Sequence, residues 1–183
     1  MKKNGPWTIL ESAVKYRGKF ILVEEAQVIQ PDGEPGEYAT VTMKPGVCIL
    51  PVDDEGNVYL TTQFRYAVGR DSIEVCAGSV DEGEEPRAAA EREAREELGI
   101  EAEEWIDLGS FDLDTSVIHC PVSLFAARGL SFGETEQEGT ETIRPLKLPL
   151  DEAVRKVMDS EITHGPSCVL ILKAARALEA QAG

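Results

Sequence analysis

The chain has 183 residues, enough for one domain, or one domain with a small appendage, and for a buried core. With 42% hydrophobic and 28% charged residues it has the composition of a soluble globular protein, and no stretch approaches the roughly 18 uncharged apolar residues of a membrane span. A formal net charge of −16 argues against a polyanion held by a basic patch, but not against small phosphorylated molecules, because a bound metal can reverse the local sign.

The opening residues Met1 to Pro6 carry two lysines with no apolar region behind them, so no signal peptide is expected. Strand-like runs follow at residues 7–10, 20–28 and 38–43, with turn residues Pro31-Asp32-Gly33 and Pro35-Gly36 between the last two. They predict a small antiparallel sheet over residues 1–44, with Lys44-Pro45-Gly46 as the seam to a second region, 45–183. There, strands are expected at 47–52 and 57–66, joined by the acidic turn from Asp53 to Gly56, and a short strand at 72–75 leads into a loop at Ala77-Gly78. A helix starting near Pro86 ends at Gly99, and strands are expected near 105–111, 122–127 and 141–148. Two more helices close the chain, one N-capped by Asp151 and running to about 159, the other from about 166 to 180. Strands mixed with three helices predict an α/β (α+β) sandwich.

Cys48, Cys76, Cys120 and Cys168 lie far apart, form no Cys-x-x-Cys pair and sit among apolar neighbours. They read as reduced, mostly buried thiols of a cytoplasmic protein. His119 and His164 are too few for a histidine-built metal centre, and His164, before Gly165-Pro166, is expected at the start of a helix.

The segment from Gly78 to Ile100 carries the chemistry. Pro86 suits a first helical turn and Gly99 a left-handed stop. Between them Glu93, Glu96 and Glu97 are three and four residues apart, so they share one face with neighbouring Cβ atoms ~5–6 Å from each other. Such like charges repel, and a divalent cation would hold them together. Ala90, Ala94 and Leu98 form an apolar stripe that can dock on a sheet. A merely solvated acidic helix would give no role to the loop glycines or to Glu84.

The same segment resembles the Nudix box. Its fixed positions are occupied by Gly78, Glu84, Arg92, Glu93, Glu96, Glu97 and Gly99, with Ala94 and Ile100 at the aliphatic ones. With each residue type near 6% of ordinary usage, and allowing for this chain's excess of Glu, seven such coincidences arise on the order of once in 10^7 to 10^8 starting points. Further residues resemble the branch that hydrolyses ADP-ribose and nucleoside diphosphate sugars. Gln63-Phe64-Arg65-Tyr66 is similar to its Gln-x-Arg strand, and Glu74-Val75-Cys76-Ala77-Gly78 to its Glu-x-Pro-Ala-Gly approach, with Cys76 in place of the usual Pro. The stretch from Asp114 to Pro121 does not align with the Pro usual after the box, which favours nucleoside diphosphate sugars as a class over ADP-ribose alone.

The resemblance implies a Nudix-fold α-β-α sandwich with a mixed sheet and a small N-terminal antiparallel sheet that forms a homodimer, while the charge and the lack of a membrane span lead us to expect no nucleic-acid or membrane partner. It implies metal-dependent cleavage of a pyrophosphate bond to a nucleoside monophosphate and a sugar phosphate. Glu93 and Glu97 would ligate Mg²⁺ or Mn²⁺ together with the Ala77 carbonyl, and Glu96 would either join them or support them in catalysis. Arg92 would pair with Glu84 and orient the carboxylates, and Arg65 would clamp a phosphate. Glu74 reads either as a substrate contact or as the structural partner of a nearby cation. Glu138 and Glu141, in the acidic loop 133–141, are the expected general bases, in either order, and Trp7, Phe64 or Tyr66 could stack on the nucleobase. Two alternatives remain from the same residues: hydrolysis of modified nucleoside triphosphates, and a sensor that binds an ADP-ribose-type ligand without cleaving it.

Overall fold

The computed structural model describes residues 1–135 and 143–182, with side chains to residue 180. It divides into two compact units, one of Met1–Lys44 with Asp112–Pro121, the other of Pro45–Phe111 with Val122–Gly183.

In the first unit, β1 (Lys2–Asn4), β2 (Trp7–Arg17), β3 (Ile21–Ile29) and β4 (Pro35–Met43) form an antiparallel meander. The β3–β4 register is regular from Ile21↔Met43 to Ile29↔Pro35, whereas β2 slips against β3 between Ile9 and Glu11 and between Val14 and Tyr16. Trp7 meets Tyr38 edge-on at 5.2 Å, and the Tyr38 hydroxyl donates to the Ser116 carbonyl at 2.6 Å. β2 runs seven residues beyond the run expected from the sequence, because the ladder to β3 satisfies its backbone without apolar alternation. β1 also went unforeseen. Pro35, expected in a turn, is the first residue of β4, a position that tolerates a missing N–H.

The second unit holds β5 (Gly46–Pro51), β6 (Asn57–Arg65), β7 (Arg70–Ser79), α1 (Pro86–Leu98), β10 (Arg144–Pro149), α2 (Leu150–Met158) and α3 (Gly165–Ala182). It shares with the first unit the long strands β8 (Ile100–Asp114) and β9 (Ile118–Phe132). Its sheet runs β9-β5-β7-β6-β10, with β8 paired to β9. The β5–β9 pair is parallel and the other pairs along β5-β7-β6-β10 are antiparallel, giving a mixed sheet.

Alternation along β5 sorts its side chains between the two faces. Val47 and Ile49 join Cys76, Ala89, Ala90, Ala94, Leu98, Ile100, Phe125 and Ala127 in one cluster, so the expected stripe of α1 docks on the sheet. Cys48 and Leu50, also buried, point the other way, toward the face where α3 packs on β5 and β7 and α2 packs on α3. The result is the α-β-α sandwich expected. At one end of α1, Arg87 lies over the Trp105 ring at 5.1 Å, and Trp105 meets Phe125 edge-on at 6.3 Å.

Several boundaries differ from expectation. β7 continues to Ser79, so Ala77 and Gly78 lie in a strand and not a loop, paired with Cys48 and Val47 of β5. β8 starts immediately after Gly99, β10 starts at Arg144, and the expected strand start at 141 lies outside the described residues. Asp151 does not cap α2. Pro149 takes that position with φ −59° and ψ 146°, while Asp151 stands in the first turn, where its charge complements the helix dipole. His164 does sit at the start of α3, its carbonyl accepting the Cys168 N–H at 3.0 Å. All four cysteines are free thiols, three of them buried.

α1 stops at Gly99, with φ 63°. The Gly99 N–H donates to the Arg95 carbonyl at 2.9 Å, and the Gly99 carbonyl accepts the Gly133 N–H at 2.7 Å. A Cβ on Gly99 would lie 2.5 Å from the Gly133 carbonyl oxygen, a backbone atom that cannot swing aside. Gly99→Ala is therefore expected to cost about 2 kcal/mol, through left-handed strain and this clash. It should appear as a lower urea midpoint with an unchanged slope.

Candidate active site

The turn between β7 and α1 is closed by Glu84. Its Oε2 accepts the Asp81 N–H at 3.0 Å, and its own N–H donates to the Asp81 carbonyl at 3.0 Å. The same carboxylate receives Arg92 from α1, whose Nε donates to Oε1 and whose Nη2 donates to Oε2 at 3.1 Å each. Nη2 also donates to the Ser79 carbonyl at 3.0 Å, while Nη1 reaches Glu93 at 2.8 Å and Glu96 at 3.2 Å. One guanidinium thus ties the end of β7, the turn and α1 together. Its hydrogen bonds to Glu84, then to Glu93, hold its pKa far above the ordinary range, while Arg92 and the Asp81 N–H hold the Glu84 carboxyl below its own.

Gly78 has a steric role. A Cβ there would lie 1.9 Å from the Glu93 carboxyl carbon and 2.0 Å from its Oε1, so the carboxylate rests where any other residue would place its side chain. Glu97 is 7% exposed and accepts a long hydrogen bond, 3.4 Å, from the Ala77 N–H. Burial pushes the neighbouring Cys76 thiol well above its ordinary pKa, and the Glu97 and Glu93 charges push it further, so it stays a protonated, inert thiol. The expected residues Ala77, Arg92, Glu93, Glu96 and Glu97 therefore gather at the β7–α1 junction. Among the described residues, no three His, Cys, Asp or Glu side chains close into a metal centre, and Arg92 engages Glu93 and Glu96. The donors on offer, carboxylate oxygens and a backbone carbonyl, are hard and suit a hard divalent cation.

A second constellation lies across β6 and β7. Arg65 grips Glu74 with two parallel bonds, Nε to Oε1 at 3.0 Å and Nη2 to Oε2 at 2.5 Å. Glu74 is only 2% exposed. The His164 Nδ1 lies 3.6 Å from Glu74 Oε2 and 2.8 Å from the Ser167 hydroxyl, which in turn accepts the Val75 N–H at 2.9 Å. Burial pushes the Glu74 carboxyl up, but the Arg65 hydrogen bond and the His164 and Ser72 contacts outweigh it, leaving its pKa below the ordinary 4.5. Burial also lowers His164 below 6.5, outweighing Glu74.

Glu138 and Glu141 lie outside the described residues, although Gly133, at the head of their segment, is fastened to the end of α1 by its bond to Gly99. Phe64 and Tyr66 are exposed, and Trp7 is engaged with Tyr38 in the first unit. The Ser79 carbonyl and the His164–Ser167 pair were not foreseen. Ser167 in a first helical turn signals a capping role, but its partner Val75 is 92 residues away and nothing local points to it.

The NUDIX domain family matches residues 42–164, and the chain belongs to that family. The ADP-ribose pyrophosphatase of Bacillus subtilis is 29% identical over 170 residues, covering 91% of this chain and 92% of that protein. The ADP-ribose pyrophosphatase of Mycobacterium tuberculosis is 31% identical over 158 residues, covering 85% and 76%. A crystal structure of an ADP compounds hydrolase matches with a TM-score of 0.86 over 99% of this chain and 98% of that one, at 21% identity, which bears on the fold alone. The family expected from the box is thereby established, and its hydrolases generally require a divalent metal.

Two outcomes follow from this geometry. In Gly78→Ala the clash falls on the far end of a flexible side chain, so the fold should survive with a melting temperature within a few degrees of wild type. The Glu93 carboxylate must move, so hydrolytic activity should fall by at least about tenfold. The second concerns acid. Because the folded pKa values of His164 and Glu74 both lie below their ordinary ones, stability is lost as pH falls, first below 6.5 and then below 4.5. Glu74→Gln should shrink the lower step, which Glu84 and other lowered carboxylates share, and keep the upper one in urea titrations run from pH 8 to pH 3.

Proposed function

We propose that this protein hydrolyses the pyrophosphate bond of nucleoside diphosphate sugars of the ADP-ribose class, giving a nucleoside monophosphate and a sugar phosphate. The observation that carries the reading is the convergence of Glu93 and Glu97 on the Ala77-Gly78 step of β7, in a NUDIX-family chain whose relatives include named ADP-ribose pyrophosphatases. Glu93 and Glu97, with Glu96 and the Ala77 carbonyl, would hold Mg²⁺. When bound, that ion supplies neutralisation of the diphosphate charge and acidification of a ligated water.

The chain's own residues divide the remaining work. Arg92 fixes the carboxylates of Glu84, Glu93 and Glu96 in place, so their orientation is settled before substrate arrives. Arg65, with five N–H donors in a rigid fork, suits a phosphate oxygen pair. Glu138 or Glu141 would hold the proton of the attacking water. The apolar side chains of Leu10, Val14, Tyr16 and Phe20, exposed on the first unit, support a homodimer through the N-terminal sheet. Among the described residues no helix is long and apolar enough to cross a membrane, and the four free thiols suit a reducing cytoplasm.

The test is product chromatography with ADP-ribose, ADP-glucose, GDP-mannose, UDP-glucose and nucleoside triphosphates, each with Mg²⁺ and with Mn²⁺. Monophosphate and sugar phosphate should form from the diphosphate sugars. Turnover of triphosphates only, or tight binding of ADP-ribose without turnover, would move the protein to one of the two alternative classes. Glu97→Gln should lower kcat by about 10³-fold with the fold intact, and wild-type kcat in that variant would sink the assigned site. Of Glu138→Gln and Glu141→Gln, one should cost about 10²–10⁴-fold in kcat, as loss of a general base does.

A further inference from the structure

Glu74 is buried to 2% exposure, yet it faces a cation on one side and the start of a helix on the other. Its two oxygens take the Nε and Nη2 donors of Arg65, which is itself 41% exposed. From the α3 side the acid is flanked by His164, whose ring is fixed by the Ser167 hydroxyl. That hydroxyl is buried, accepts the Val75 N–H and lies 2.8 Å from His164 Nδ1. Burial lowers the pKa of that imidazole, so at neutral pH it is uncharged and Arg65 is the charge that faces Glu74. A carboxylate enclosed in this way cannot reach a ligand in solvent, whereas the guanidinium it grips can. Held at Nε and Nη2, that guanidinium has its plane and direction set, and a planar fork binds phosphate only in the right plane.

We infer that Glu74 is a positioning residue for Arg65: it sets the plane of the guanidinium that meets the substrate's phosphate and makes no contact with substrate itself. This rests on the reading of Arg65 as the phosphate clamp of a nucleoside diphosphate sugar hydrolase. Glu74 uses two of the five guanidinium donors, so an aligned phosphate contact does not require the pair to break. The contribution of Glu74 then lies in binding and runs entirely through Arg65.

The experiment is a double-mutant cycle of Arg65→Ala, Glu74→Gln and the two together, with KM and kcat measured on ADP-ribose and Mg²⁺. Glu74→Gln should raise KM by about tenfold or more, as loss of a charge-assisted bond does, leave kcat unchanged, and add nothing in the Arg65→Ala background. Multiplying effects in the double variant would show that Glu74 acts independently of Arg65 and would overturn the inference. A KM unchanged by Arg65→Ala would remove the clamp reading, and the inference with it. A raised KM in Arg65→Ala with none in Glu74→Gln would remove the inference alone. Wild-type protein gives a measurement that needs no folded Glu74 variant. The Arg65 Nε–H resonance, assigned by its absence in Arg65→Lys, should stay protected from exchange when ADP-ribose is added without metal. Loss of that protection would mean that Arg65 leaves Glu74 to bind, and the positioning role would fall.

Discussion

The site depends on one cation holding several anions apart and together. Glu84, Glu93, Glu96 and Glu97 crowd the β7–α1 junction in a chain whose formal net charge is already −16. Left alone, carboxylates at helical spacing repel and turn toward solvent. Arg92 reverses that tendency by bonding three of them and the Ser79 carbonyl through its three nitrogens. A lysine has the charge but no fork, and could not span the turn, the strand end and the helix face at once. That single side chain ties the turn, the end of β7 and α1 together and bonds the Glu93 carboxylate.

The second constraint is room. Ala89, Ala90 and Ala94 are fully buried, and small residues there let α1 approach the sheet closely enough for Glu93 to lie on Gly78. Apolar packing on one face of α1 therefore sets the distance that the acids on another face require. Core and site are joined here, because a larger residue at Ala90 or Ala94 would lift the helix and withdraw the carboxylates from β7.

The sequence made legible whatever depends on local spacing. Pro86, Gly99 and the Ala90-Ala94-Leu98 stripe are where their i+4 relations and turn chemistry place them, while the Glu84–Arg92 pair, eight residues apart, was implied by the resemblance. The α-β-α class was legible for the same reason. What escaped depends on partners remote in the chain. β7 passes through Ala77-Gly78 because β5 pairs with it there, and no local rule for glycine predicts that ladder. β2 is long because β3 is, and Pro149 outcompetes Asp151 at the α2 start by fixing its own φ. The two open readings of Glu74 could not be separated from sequence, since its burial and the approach of His164 from 90 residues further on are set by tertiary packing.

The two acid–arginine arrangements differ in a way that bears on function. Arg92 is half enclosed and shared among Glu84, Glu93 and Glu96, so it holds a group of like charges together. Arg65 is paired with a buried acid, Glu74, and the exposed partner of that pair is the cation. Burying the carboxylate and exposing the guanidinium costs desolvation on one side only, and presents a fixed positive fork to solvent. In a protein so strongly acidic, an anionic substrate needs such a local reversal of sign. The cation best suited to provide it is one whose own counter-charge is hidden beneath it and held there by the first turn of α3.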